Sequence, residues 1–139
     1  MNKKNKKMKI SKNFTLEEFT ESEIAKKLKI DNSFEKPEYK ANVMDLVSCI
    51  LQPLRSYLET PIHINSGYRC KELNRVVGGV YNSQHMTGKA ADFVCKDMKR
   101  AAWAIENLMN FDQLIIYRRF IHVSYNYGNN RKEIIYKNI

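Results

Sequence analysis

Three residues carry types and settings that could do chemistry: His85, Asp92 and His122. His85 lies in a polar run, Ser83-Gln84-His85-Met86-Thr87-Gly88-Lys89. Asp92 follows inside an otherwise apolar stretch, Ala90-Ala91-Asp92-Phe93-Val94-Cys95. An ionised carboxylate in a buried strand is costly unless it is paired or bound to a metal. A turn at Thr87-Gly88-Lys89 lets loop and strand run back on each other and brings His85 to Asp92. His122 shares strand parity with Phe120 and Ser124, while Ile121 and Val123 point the other way. If those two face helices, His122 faces the open side of the sheet. Two imidazoles and one carboxylate suit Zn²⁺ and leave the fourth tetrahedral position for water, as in catalytic rather than structural sites. Water held there has its pKa lowered toward ~7 and can attack a carbonyl. The same spacing also fits structural polar groups satisfied by hydrogen bonds.

These residues need a scaffold, and the patterning predicts one. Thr15-Leu16-Glu17-Glu18 reads as a capping box, after which Leu16, Phe19, Ile24 and Leu28 recur at roughly helical spacing. Pro37 suits the first turn of a second helix. Val43, Leu46, Val47, Ile50, Leu51, Leu54 and Leu58 then form an apolar face of period 3.6. Pro53 inside it predicts a kink or a split. Pro61-Ile62-His63-Ile64-Asn65 alternates as a strand, and Glu72 to Val77 is a short helix closed by Gly78-Gly79. Ala90 to Cys95 is a buried strand, Met98 to Met109 a helix. Leu114 to Tyr117 and Phe120 to Tyr125 are strands joined at Arg118-Arg119, and Glu133 to Tyr136 is a last strand. Helices first and then strands give α+β, an antiparallel sheet packed against helices on one side with the candidate metal site on its open face. The expected organisation is a basic, disordered tail over residues 1–12 and one domain over 13–139.

Composition bounds the function. The chain has 139 residues, 24 Lys and Arg against 15 Asp and Glu, and a net charge of +9. A hydrophobic fraction of 43% supplies a core without metal or disulfide. Cys49, Cys70 and Cys95 are too few, and odd in number, for a disulfide framework, and read as reduced, partly buried thiols. No apolar run reaches the ~20 residues of a membrane span. The lysine-rich start lacks the apolar segment of a secretory signal, so synthesis in the cytoplasm and release by lysis or another export route is expected. Charge alone makes nucleic acid a candidate partner, but no basic helix with interleaved aromatics supports it, and no nucleic-acid partner is expected.

The ordered combination Ser66-Gly67-Tyr68-Arg69, Glu72-Leu73-Asn74, Val77-Gly78-Gly79, Ser83-Gln84-His85, Gly88 and Ala90-Ala91-Asp92, then His122-Val123-Ser124 and Asn130-Arg131, resembles the zinc D-Ala-D-Ala carboxypeptidase family. That family comprises peptidoglycan-cleaving peptidases of the hedgehog-like fold, and the resemblance covers Phe14 to Arg131. It implies that His85, Asp92 and His122 are the zinc ligands. It implies that Arg69 steadies the scissile carbonyl oxygen or the substrate carboxylate, a surface salt bridge being its structural alternative. Ser83 either donates a hydrogen bond to substrate or shapes its loop. His63 has no counterpart and reads as structural.

One departure bears on activity. Hydrolysis of this kind needs a general base near the metal, usually a carboxylate. Leu114 to His122 contains no Asp or Glu, and Tyr117 stands where the resemblance leads one to expect Glu. A free tyrosine, with a pKa of about 10, is a poor base. Two functions therefore compete. One is a zinc peptidase cutting D-residue peptides of peptidoglycan stems, of carboxypeptidase or L-Ala-D-Glu endopeptidase type. The other is a catalytically weakened wall-binding module of the same fold.

Overall fold

The computed structural model describes residues 7–137. Of the expected tail, residues 1–6 lie outside these. The described part begins earlier than the expected boundary: Leu16 N–H donates to Met8 O at 2.8 Å, and Lys9 bridges Thr15. Glu18 accepts from the Thr15 N–H at 2.7 Å, as a capping box requires. The segment it opens is a 3-10 turn, Leu16–Phe19, rather than a full helix. Helix α1, Glu23–Leu28, starts afresh because Ser22 caps it, accepting from Ala25 N–H at 3.1 Å.

The long apolar face forms α2 (Pro37–Leu46) and α3 (Gln52–Leu58), joined by a π-helical turn, Val47–Leu51. This turn accommodates Pro53. Gln52 N–H reaches back five residues to Val47 O, so the missing donor of the proline falls just after a widened turn. Leu46, Ile50, Leu51 and Leu54 remain fully buried across the junction.

Five strands follow, β1 (Ile62–Ser66), β2 (Ala90–Cys95), β3 (Gln113–Ile116), β4 (Ile121–Ser124) and β5 (Glu133–Tyr136), with α4 (Lys71–Val76) between β1 and β2 and α5 (Met98–Leu108) between β2 and β3. The sheet order is β1-β2-β4-β3-β5. The expectation of a purely antiparallel sheet needs correction, because β5 pairs β3 in parallel. After the β3–β4 hairpin the chain passes the end of β3 and docks on its outer edge. A strand there that runs opposite to β4 must run with β3. The α+β class stands.

Ile121, Val123, Leu114 and Phe93 face the helices and pack with Ala101, Ala104 and Ile105 of α5. His122 and Asp92 therefore lie on the other face, as the strand parity predicts. His63 is exposed on β1, between buried Ile62 and Ile64. The cysteines are free: Cys70 is buried, Cys95 half-buried and Cys49 exposed. No helix among the described residues is long and apolar enough to cross a membrane.

Candidate metal centre

His85 rides on a second 3-10 turn, Gln84–Thr87. Ser83 starts that turn, its hydroxyl accepting from the His85 N–H at 3.2 Å. Gly88 ends it with φ +77°, a conformation that favours glycine. The turn is tied to the next wall of the site, since Arg69 N–H donates to His85 O at 3.0 Å. Asp92 and His122 are direct register partners across β2 and β4, so the ladder itself holds them face to face.

The structure brings the three predicted ligands together. His122 Nδ1 lies 2.8 Å and His85 Nε2 3.3 Å from Asp92 Oδ1. One potential ligand atom from each residue lies within 4.8 Å of the others. His85 Nδ1 is 2.7 Å from the carbonyl of Gly67. A carbonyl only accepts, so the ring proton belongs on Nδ1 and Nε2 keeps its lone pair. Gly67 has to be glycine, because a Cβ there would meet Phe19 backbone at 2.6 Å and displace the carbonyl that orients His85.

The electrostatics test whether a metal fits. Burial pushes the His85 pKa down, against the pull of Asp92. Burial raises Asp92, but the two imidazoles, His122 before His85, outweigh it and hold the carboxyl well below the usual carboxylate range. His85 and His122 each place one ring nitrogen on Asp92 Oδ1, at 3.3 and 2.8 Å, in a nearly dry site. Two nitrogens and a carboxylate oxygen form the donor set of a zinc site, so the residues fit this metal.

Arg69 borders the cluster. Its Nε donates to Ser66 Oγ and its Nη1 to Asn74 Oδ1, both at 3.1 Å, which leaves Nη2 at 3.8 Å from Asp92 Oδ2. Burial lowers its pKa while Asp92 raises it; a guanidinium stays charged under both. Tyr117 and Phe120 stack at 4.2 Å and, with the ligands and Arg69, line one cavity of about 750 Å³. Burial, and then Asp92, push the Tyr117 hydroxyl further up, so it stays protonated.

A buried carboxylate in this cavity escaped the sequence reading. Asp112, 2% exposed, accepts from Arg131 Nε at 3.0 Å and Nη2 at 2.8 Å, and from Gln84 Nε2 at 2.9 Å. It thus joins the start of β3, the loop after β4 and the turn carrying His85. Its one sequence signal is an acid between Phe111 and Gln113, just ahead of the apolar run Leu114-Ile115-Ile116. Burial raises its pKa, but Arg131 and then Gln84 bring it to about 2. The folded value lies below the unfolded ~3.9, so the stability it contributes is fully present above pH ~4 and is lost as pH falls toward 2. The difference is worth about 2 kcal/mol. Urea unfolding of metal-free protein between pH 5 and 2 should show this loss, and Asp112→Asn should remove that share of the slope. An unchanged slope would mean the Asp112–Arg131 pair is not its source.

A search of curated protein sequences finds no match to the chain. A family model described as Peptidase M15 matches residues 12–124. That span holds all three candidate ligands, Arg69 and Ser83, on the scaffold that gathers them. On that match the chain belongs to the peptidase M15 family, the zinc D-Ala-D-Ala carboxypeptidase-like peptidases.

Proposed function

We infer that the protein is a zinc metallopeptidase of the hedgehog-like fold, hydrolysing D-residue-containing peptides of bacterial peptidoglycan. The observation that carries this reading is the His85–Asp92–His122 cluster with Arg69 at its edge, opening into one polar cavity. His85, Asp92 and His122 would hold the ion, and Zn²⁺ there supplies a Lewis acid for a carbonyl oxygen and ionises water near neutral pH. Arg69, kept charged and braced by Ser66 and Asn74, donates to the scissile carbonyl oxygen or a substrate carboxylate. Ser83 uses its oxygen on His85 N–H and keeps its own proton for a substrate carbonyl. Cationic Arg69, Arg131 and Lys137 in the same cavity suit an anionic stem peptide.

A second reading, a wall-binding module with weakened catalysis, is favoured by one observation. The carboxylates lining the cavity are Asp92 and Asp112, the first committed to the cluster and the second to Arg131. Neither is free to act as general base. Slow turnover of D-Ala-D-Ala and L-Ala-D-Glu peptides is therefore expected, abolished by chelation and restored by zinc. Binding of stem peptide without any zinc-dependent turnover would establish the module instead.

A further inference from the structure

We infer that Asp112 is a positioning residue of the candidate metal centre, acting through Gln84 on the turn that carries His85. This rests on the zinc reading above, because its consequence is how well the cluster holds that metal.

The two histidines sit on unlike supports. His122 belongs to β4, and the sheet ladder sets it opposite Asp92. His85 belongs to a four-residue 3-10 turn, Gln84–Thr87, outside the sheet. So short a turn has few bonds of its own, and a metal ligand has to be held to a fraction of an ångström. The turn therefore depends on what its neighbours tie it to. Gly67 O and Arg69 N–H tie it to the segment after β1.

Asp112 ties it to β4. The Asp112 N–H donates to Ser124 O at 2.9 Å, and the next N–H, of Gln113, donates to Ser124 Oγ at 3.0 Å. Ser124 ends β4, on the strand that carries His122. The Asp112 carboxylate meanwhile accepts from Gln84 Nε2 at 2.9 Å, and Gln84 directly precedes His85. Gln84 also closes the turn, its carbonyl accepting from Lys89 N–H at 3.0 Å and from the Thr87 hydroxyl at 3.2 Å. One buried residue thus spans the strand of one candidate ligand and the turn of the other.

The anchor itself is fixed. Asp112 Oδ1 accepts from Arg131 N–H and Nε, both at 3.0 Å. Its Oδ2 accepts from Arg131 Nη2 at 2.8 Å as well as from Gln84. These bonds use the roughly four acceptor sites of a carboxylate. Arg131 already meets the charge, so neutral Gln84 adds a fixed direction rather than compensation. An amide at position 112 would keep one acceptor oxygen and turn an NH₂ toward N–H donors.

The test measures the zinc affinity of the full chain by competition with a chromophoric chelator, and urea stability on the same proteins without metal. Gln84→Met keeps the length of the side chain and removes the donor. It should bind zinc about tenfold more weakly, the low end of what loss of a group supporting a ligand costs. Gln84→Lys puts a donor back at similar reach and should recover most of that loss. Asp112→Asn should weaken zinc binding about as much as Gln84→Met. The double variant should be no weaker than the weaker single one, because both remove the same tie. Ile105→Val, a truncation of a fully buried side chain on α5, should lower urea stability and leave zinc affinity at the wild-type value. Gln84 is only half-buried, so its two variants decide the matter even where Asp112→Asn does not fold.

Wild-type zinc affinity in Gln84→Met overturns the inference. So do a Gln84→Lys protein as weak as Gln84→Met, losses that add in the double variant, and a zinc affinity that falls in Ile105→Val as it does in Gln84→Met. Each of these leaves zinc binding by the wild type, and with it the peptidase reading, standing. A wild-type chain that takes up no zinc removes both.

Discussion

Replacing His122 by alanine is expected to weaken zinc binding by at least ~100-fold, since loss of a supporting group alone costs 10–100-fold. Peptide turnover should disappear with the metal. His122 gives the cleanest variant of the three candidate ligands. Its side chain lies on the open face of β4, while Ile121 and Val123 pack the core from the opposite face. His85 is 3% exposed, so truncating it also opens a cavity and confuses metal loss with unfolding. Asp92 is tied to Arg69 as well as to both histidines, and its removal frees a half-buried cation. Competition with a chromophoric chelator gives the affinity, and circular dichroism gives the fold. His63→Ala is the control, being exposed on β1. A His122→Ala protein with wild-type zinc affinity would remove the ligand assignment.

Tyr117→Glu is expected to raise turnover by ~10²-fold or more, the scale of general-base assistance. Strand parity alone does not set the direction of Tyr117, because the Arg118-Arg119 turn follows it. In the structure it lines the cavity with the three candidate ligands. The burial and the nearby Asp92 charge that keep the phenol protonated would also raise a glutamate placed there. A carboxyl pKa moved up toward neutrality is what a general base at pH 7 requires. Rates on a stem peptide, with zinc content measured on the same samples, decide the matter. Fast wild-type turnover would mean that a base is supplied elsewhere. A Tyr117→Glu protein that holds zinc yet stays as slow as wild type would mean the base belongs at another position.

Chemistry was the legible part of this sequence. A lone Asp in an apolar strand and a His of the right parity need explanation whatever the fold, so Asp92 and His122 stand out. The β2, α5 and β4 segments are legible for a related reason: each packs one face on a single core, and periodicity records that. Partner choice leaves no such trace. Nothing in Glu133-Ile134-Ile135-Tyr136 says which edge it joins or in which direction, so the parallel β3–β5 pairing was missed. Asp112 and Arg131 lie 19 residues apart on either side of β4, and their pairing exists only once β4 has turned back. The π-turn ahead of Pro53 hides because widening a helix by one residue keeps Leu46, Ile50 and Leu54 on the same face.

The register pairing of Asp92 with His122 has a consequence for how samples are judged. A slip of one residue between β2 and β4 would turn His122 into the helices and set Ile121 or Val123 opposite the carboxylate. Such a molecule would not bind zinc a little less well; it would have lost a ligand outright. Metal uptake is then binary for each molecule. A preparation holding half an equivalent of tightly bound zinc would be a mixture of matched and mismatched sheets rather than a uniform protein of middling affinity. Stoichiometry, read at saturating metal, counts the correctly threaded fraction.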